Sequence, residues 1–425
     1  MQPSNILFDI FLATGVLNML HFGAYIVGAN LYDIWQFRRA SKGPKRLPSP
    51  TPAVTVLIPA HNEESGVIRC LESVRTNTYR KVQIVVIDDF STDRTSALVT
   101  KYICEHPTRS ISLIKTPSNI GKAGGLNYAL KRQATGDLIM TLDADSVLGP
   151  QAISRAVSYF VNPKVVGVAA NVRVMDSPSV LGILQKFEHM IGYRSKKFYS
   201  LSNCEFIIGG VASTYRKTIM EHVHYYDTDT TTEDIGLSLK IAALGNKENR
   251  LVYASDVVAM TEGVQTFKSL LRQRYRWKMG MLQNLIKNMR LVFNNDAAFT
   301  RTLTMYRLPM AFFGEVLLLL EPILFAYLVY LSIAFRTPAL FLGAYIVITL
   351  YILWNLWPDE HHTLWRKVML SFYAPILYFI FYIMSFIQVV SIIRCLINFK
   401  KITREVKTEA SWTSPERSGQ PVHVA

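Results

Sequence analysis

Charge is what this 425-residue chain has least of. Only 18% of its residues are Asp, Glu, Lys or Arg, below the roughly 25% of an ordinary soluble domain. The shortage is local. None of the four types occurs from Ile10 to Tyr32, from Pro338 to Trp357 or from Val368 to Ile393. As a helix rising about 1.5 Å per residue, each run can cross a hydrocarbon core of about 30 Å, which excludes a wholly soluble protein. Cysteine is scarce too. The four present, Cys70, Cys104, Cys204 and Cys395, form no CxxC pair, which speaks against a disulfide framework and a zinc site. No GxGxxG follows the first strand-like run and no GxxxxGK[S/T] occurs, so neither a dinucleotide oxidoreductase nor a P-loop ATPase is supported. Internal repeats and low-complexity tracts are missing as well. Aromatic surface is abundant instead: 22 Phe, 21 Tyr and 6 Trp are more than a disordered polar chain carries.

The formal net charge is +15. Arg38, Arg39, Lys42, Lys45 and Arg46 follow the first apolar run, so the positive-inside bias puts that flank, and the region behind it, in the cytosol of a multi-pass cell-membrane protein. The run lacks a basic start and a small-residue cleavage site, and its 23 residues exceed a signal-peptide core, so it reads as a retained span. The basic residues gather at membrane flanks and along one amphipathic helix, and no nucleic-acid partner is expected.

These features divide the chain. Residues 1–36 read as an N-terminal transmembrane helix, and 37–52 as a basic linker containing Pro44, Pro48, Pro50 and Pro52. A globular domain covers 53–262, amphipathic interface helices 263–300, a membrane region of about three helices 301–398, and a polar tail 399–425. One span before the domain and three after would leave the tail outside, whereas Lys400, Lys401, Arg404 and Lys407 favour an inside tail. Glu315 and Glu321 interrupt the otherwise apolar stretch Leu308–Phe335. A carboxylate at a helix centre costs about 2.5–3.5 kcal/mol on insertion scales, so they face a polar path, a protein partner or water at the interface.

Within the domain, Val54–Ile58, Val82–Ile87 and Asp137–Leu142 are short, largely β-branched runs separated by helical stretches at Ser65–Thr76 and Gly125–Gln133. That alternation is the pattern of an open, mostly parallel α/β sheet. Ligands of such sheets bind at the carboxyl ends of strands. Here those ends are Pro59-Ala-His-Asn-Glu63, Asp88-Asp89 and Asp143-Ala-Asp145. Asp143 and Asp145 can aim two carboxylates at one hard cation, Mg²⁺ or Mn²⁺, although DxD taken alone also describes a solvated turn. Asn119–Gly125 is a glycine-rich approach to a helix that brings Lys122 near backbone N–H groups, suited to a phosphate or simply an ordinary loop. Thr231-Thr-Glu-Asp234 opens a helix from Ile235 to Leu244. Asp234 is a candidate general base, with helix capping as the plain alternative for both acids. Gln273, Arg276 and Trp277 share one face of a long amphipathic segment whose apolar stripe, Phe267, Leu271, Tyr275, Leu282, Leu285 and Met289, is expected in lipid. Snorkelling Arg and interfacial Trp are the alternative there.

Together, PAHNE at 59–63, DDxSTD at 88–93, GKAGGLNYAL at 121–130, DAD at 143–145, TED at 232–234 and QRYRW at 273–277 resemble the motifs of membrane-integrated family 2 glycosyltransferases. The resemblance is closest to bacterial poly-N-acetylglucosamine synthases, with hyaluronan, chitin and cellulose synthases as relatives. It covers roughly Ala53 to Asn284. It implies a GT-A fold with interfacial and transmembrane helices, a UDP-sugar donor (N-acetylglucosamine as first choice), a divalent metal and processive, inverting synthesis of a β-linked polysaccharide coupled to export. Residue by residue, it implies His61, Glu63, Asp89, Lys122, Asp143 and Gln273 around the nucleotide sugar. It places Asp145, with Asp143, at the metal, Asp234 and Arg276 in catalysis, and Glu233 and Trp277 at the acceptor. Phe90 stands where many relatives have Gly, which bears on the pose of the nucleotide. Rival readings are a transferase acting once on a membrane lipid, and an inactive subunit binding nucleotide or polymer in an export complex; accessory subunits or a homo-oligomer are possible partners.

Overall fold

The computed structural model describes residues 3–40, 47–107, 110–176, 179–359 and 362–403. Lys42, Pro44, Lys45, Arg46, Arg404, Lys407 and the tail from Thr408 lie outside the described residues. In chain order the elements begin with α1 (Pro3–Ala40), β1 (Val54–Ala60), α2 (Val67–Arg75), β2 (Val82–Asp88), α3 (Thr95–Glu105), β3 (Ile111–Lys115) and α4 (Gly121–Arg132). Then come β4 (Leu138–Thr141), β5 (Val147–Leu148), α5 (Ala152–Tyr159), β6 (Val165–Val174), α6 (Val180–Leu201), β7 (Ser213–Arg216) and α7 (Lys217–His222). The last are α8 (Glu233–Ala242), β8 (Arg250–Thr261), α9 (Phe267–Lys287), α10 (Leu308–Ala334), α11 (Pro338–Leu356), α12 (Leu364–Ile397) and α13 (Phe399–Thr403).

The strands form one mixed sheet in the order β3-β2-β1-β4-β7-β6-β8-β5. β1, β2, β3 and β4 pair in parallel, β7 runs antiparallel between β4 and β6, and β6 pairs in parallel with β8. β1 is buried along its whole length because helices cover both faces, which explains its apolar run, interrupted only by Thr55. The expected sheet is thus mostly parallel only in its first half. The later strands escape sequence reading because β6 is hydrophobic without period-2 alternation and β7, Ser-Thr-Tyr-Arg, is short and carries no apolar run.

The chain leaves β1 toward β2 and β3 and then returns through α4 to β4 on the other side of β1. That reversal is a topological switch point, and the carboxyl ends of β1, β2 and β4 open into the crevice beside it.

Helices α1, α10, α11 and α12 carry the apolar runs. Two of them, over Phe8–Arg38 and Thr302–Ala334, are long and apolar enough to cross a membrane, with shorter apolar stretches at Phe341–Leu356 and Tyr382–Ile397. α1 is fastened to the domain: Tyr32 is buried and its hydroxyl donates to the Tyr253 carbonyl at 3.0 Å, and Asp33 pairs with Arg194 and Lys197 of α6. Glu315 is held by Lys278 Nζ of α9 at 2.7 Å, and Glu321 accepts from the Ser385 hydroxyl of α12 at 3.0 Å. Both acids thus have polar partners on other helices of the same chain. The apolar stripe of α9 is likewise largely covered by protein. Leu271 joins a cluster with Leu184, Met384 and Ile387, Tyr275 and Leu282 join one with Cys395, and Phe267 and Met289 stay exposed.

Candidate active site

The PAHNE and DDxSTD segments are tied together at the ends of β1 and β2. The Asp89 N–H donates to the Ala60 carbonyl at 2.8 Å, and His61 Nδ1 donates to the Asp89 carbonyl at 2.8 Å. The Asp89 carboxylate is buried. Its Oδ1 accepts from Thr116 Oγ1 at 2.8 Å and from the Ile120 N–H at 2.9 Å, while its buried Oδ2 accepts no hydrogen bond among the described residues. A buried carboxylate oxygen lacking a donor is costly to maintain, and it suits the N–H or hydroxyl groups of a nucleoside. Asp89→Asn should weaken nucleotide binding about 10- to 100-fold, the loss of one charge-assisted hydrogen bond, as read by calorimetric titration with UDP.

Phe90 follows with φ +64° and more than half of its surface exposed. Only glycine adopts this left-handed backbone without cost; another side chain there carries roughly 1–2 kcal/mol of strain. The departure from the resembled pattern thus falls at the position whose backbone calls for Gly. Because glycine also loses more entropy on folding, Phe90→Gly should leave stability within about 1 kcal/mol, measured by thermal unfolding in detergent.

Three distant segments meet at Lys122. Its Nζ lies 2.7 Å from Asp143 Oδ1 and 3.0 Å from Glu233 Oε1, joining the start of α4, the turn after β4 and the first turn of α8. Burial opposes the ammonium charge, but Asp143, Glu233 and Asp234 outweigh it and raise its pKa. Gly210 permits this arrangement, since a Cβ there would stand 2.8 Å from Lys122 Nζ. The loop Gly209-Gly210 is a part of the site that sequence reasoning missed; paired glycines between two apolar runs were the available signal. Glu233 is occupied by Lys122 and does not cap its helix, whereas Asp234 Oδ1 accepts from the Ile235 N–H at 2.9 Å. Burial and the neighbouring Glu233 push the Asp234 carboxyl up to about 6, against the pull of Lys122 and the Ile235 N–H.

Asp145 is buried at the DAD turn, accepting from Ser146 Oγ at 2.9 Å and from Thr261 Oγ1 at 3.5 Å. Burial drives the Cys70 thiol well up, and the charges of Asp145, Asp143 and Glu63 add to that rise. Glu63 lies in the loop before α2, which packs against the DAD turn: a Cβ on Gly66 would stand 2.9 Å from the Ala144 carbonyl oxygen. Arg69 of α2 pairs with Glu262 at the end of β8, closing this side. Among the described residues no three His, Cys, Asp or Glu side chains gather to hold a metal ion. Asp145 and Asp143 offer hard carboxylate oxygens, the donor type suited to Mg²⁺ or Mn²⁺, which keep few protein ligands and complete their shells with water and phosphate oxygens; here Asp143 Oδ1 faces Lys122.

α9 reaches the site by a close helix contact. A Cβ on Gly280 would lie 2.2 Å from Thr232 Oγ1, and Asn284 Nδ2 donates to the Thr232 carbonyl at 3.0 Å. Arg276 stands one turn before Gly280 and hence on the face turned toward the TED segment. Gln273 is half-buried, while Arg276 and Trp277 are exposed. The buried arginine of QRYRW is Arg274, which pairs with Glu188 of α6 at 2.5 Å and stacks on Trp277 with its guanidinium 4.2 Å from the ring centre. Sequence reasoning overlooked it because Glu188 is so distant along the chain.

Residues 55–223 match the model of glycosyl transferase family 2. The poly-β-1,6-N-acetyl-D-glucosamine synthases of Staphylococcus epidermidis and Staphylococcus aureus (strain COL) are each 31% identical to the chain over 238 residues, 55% of this chain and 56% of theirs. The chain is thus matched over about half the length of these curated relatives. Among solved structures, a mannosyltransferase from Pyrobaculum calidifontis in complex with GDP-Man and Mn²⁺ is 24% identical. It covers 90% of this chain and 99% of its own, with a TM-score of 0.58. The fold is accordingly GT-A-like, a mixed open sheet with helices on its faces. Over residues 55–223 the chain is similar to family 2 glycosyl transferases.

Proposed function

We propose that the protein is an inverting glycosyltransferase that moves a sugar, N-acetylglucosamine first among candidates, from a UDP-sugar to a growing β-linked polysaccharide and passes the product through the membrane. The observation that carries this reading is Asp234, a carboxyl raised to about 6 beside Lys122, Glu233 and Asp143. A base is most useful when its pKa lies near the working pH, ionised yet still able to take a proton. Asp234 accepts the proton of the acceptor hydroxyl as that oxygen attacks the anomeric carbon from the side opposite the leaving diphosphate, which inverts an α-linked donor. Lys122 keeps Asp143 and Glu233 from raising Asp234 further. Asp89 and His61 hold the nucleoside, Glu63 and Gln273 support the donor, and Trp277 offers a ring to the acceptor sugar. The Arg276 guanidinium meets charge that grows on the diphosphate as the bond breaks, so it favours the transition state over the ground state. Asp145, with Asp143, would hold Mg²⁺ or Mn²⁺, which supplies Lewis-acid neutralisation of the leaving diphosphate.

The 31% identity to poly-β-1,6-N-acetyl-D-glucosamine synthases supports the choice of sugar, and the apolar helices joined to the domain support coupling to export from a cytosolic site. The test is to incubate purified protein with individual radiolabelled UDP-sugars and Mg²⁺ or Mn²⁺, then digest the product with linkage-specific glycosidases. A polymer made from UDP-N-acetylglucosamine is the expected result. A single sugar on lipid, or no transfer from any donor, overturns the polymerase reading.

A further inference from the structure

A cavity of about 60 Å³ lies between β6, β8, α6 and the connection from α11 to α12. It has room for a few water-sized groups, less than a sugar ring needs. Its described lining holds four cationic side chains, Arg173, Lys186, Arg194 and Lys197, and one carboxylate, Asp359. Asp33 and Asp176 stand behind or beside these cations, and Arg366 joins Asp176 at the rim, so among the described residues the cluster keeps an excess of positive charge.

The site is built rather than incidental. Arg194 is 5% exposed; its Nη1 and Nη2 reach Asp33 at 3.1 Å and Asn30 at 2.6 Å on α1, but its buried Nε has no acceptor among the described residues. Arg173 donates to Asp359 Oδ2 at 3.0 Å and to His362 Nε2 at 2.9 Å, so His362 is held as a neutral acceptor, and burial and Arg173 lower its pKa to about 4. A cavity lined by a guanidinium with an unsatisfied N–H and by an excess of cationic side chains favours an anionic oxygen.

The depth of the cavity indicates where that oxygen comes from. The elements around it include the domain-facing part of α1 and the link between the apolar helices α11 and α12. Trp35, Trp354, Trp357 and Trp365 on these same elements are all more than 40% exposed. Tryptophan concentrates at the level of lipid headgroups, and basic pockets at that level attract phosphate. We propose that this cavity binds the phosphate of an anionic lipid headgroup, anchoring the junction of α1, α6 and the α11–α12 link to the membrane surface. The proposal does not rest on the sugar-transfer reading.

Short-chain phosphatidylglycerol, short-chain phosphatidylcholine and glycerol phosphate would each be titrated into the purified full-length protein in neutral detergent, with binding followed by native mass spectrometry. Phosphatidylglycerol should bind at least about tenfold more tightly than phosphatidylcholine, with glycerol phosphate weaker than the intact lipid. The double variant Lys186→Gln/Lys197→Gln should lose about 10- to 30-fold in phosphatidylglycerol affinity while keeping its phosphatidylcholine binding and its thermal unfolding profile. Arg173→Gln provides a second variant should the double one fail to fold. Equal binding of the two lipids, or variants that keep the preference, overturns the site. Glycerol phosphate binding as tightly as phosphatidylglycerol overturns the lipid assignment.

Discussion

Asp234→Asn is expected to lower sugar transfer by about 10²- to 10⁴-fold while leaving UDP affinity unchanged, since general-base help contributes that much and the amide cannot take a proton. At about 1.36 kcal/mol per decade this is about 3–5 kcal/mol of lost transition-state stabilisation. The measurement is radiolabel transfer under saturating donor, with UDP binding by calorimetry as the control. Normal turnover in the variant would remove Asp234 from the chemistry. A pH dependence accompanies it. Because the carboxyl is raised from 3.8 to about 6, wild-type transfer should fall as pH drops below about 6. The folding linkage has the sign opposite to that of an ion-paired Asp. The folded state binds the proton more tightly than the unfolded chain, so this group favours the fold at low pH and loses that contribution as pH rises from about 4 through 6.

Lys122→Met is expected to cost both activity and stability. Removing the ammonium leaves Asp143, Glu233 and Asp234 as three neighbouring carboxylates without their counter-charge. Breaking a buried pair by deleting one partner costs about 3–5 kcal/mol; Lys122 is one-fifth exposed, which brings the expected loss to about 2–3 kcal/mol. The pKa of Asp234 should rise further, shifting the acid limb of the transfer profile to higher pH. Lys122→Met/Asp143→Asn should recover part of the stability, because one of the uncompensated charges is gone, but not the activity. Thermal unfolding in detergent and the pH profile of transfer read the two effects separately. A Lys122→Met protein with unchanged stability and an unchanged acid limb would mean that the three carboxylates do not share this cation.

Much of the site is legible in the sequence because chemistry in a parallel α/β sheet collects where strands end, and strand ends can be read locally. Val54–Ile58 and Val82–Ile87 announce buried strands, so His61, Glu63 and Asp89 fall at the crevice without any knowledge of the rest of the sheet. Asp143 and Asp145 follow in the same way from β4. Phe90 stands out in the sequence only against the resembled pattern, and its positive φ is seen in the structure. The edge strand β3 and the antiparallel insertion of β7 are not, since no period-2 pattern marks them.

The side-chain partners belong to another level. Lys122 was expected at the nucleotide, and its neighbours are Asp143 and Glu233, 21 and 111 positions away. Arg274 looked like a residue between two motif positions, yet it is the buried member of QRYRW through Glu188. The sequence alone thus determined which carboxylates stand at strand ends and where apolar runs long enough for a membrane occur, because both follow from repeats of two to four residues and from run length. Only the tertiary structure decided that Gly280 lets α9 press against Thr232, that Glu315 and Glu321 find partners on α9 and α12, and that one lysine holds three motifs together. Those contacts depend on how crossovers and helix packing bring distant segments within a few ångströms, and no local pattern of residues encodes that distance.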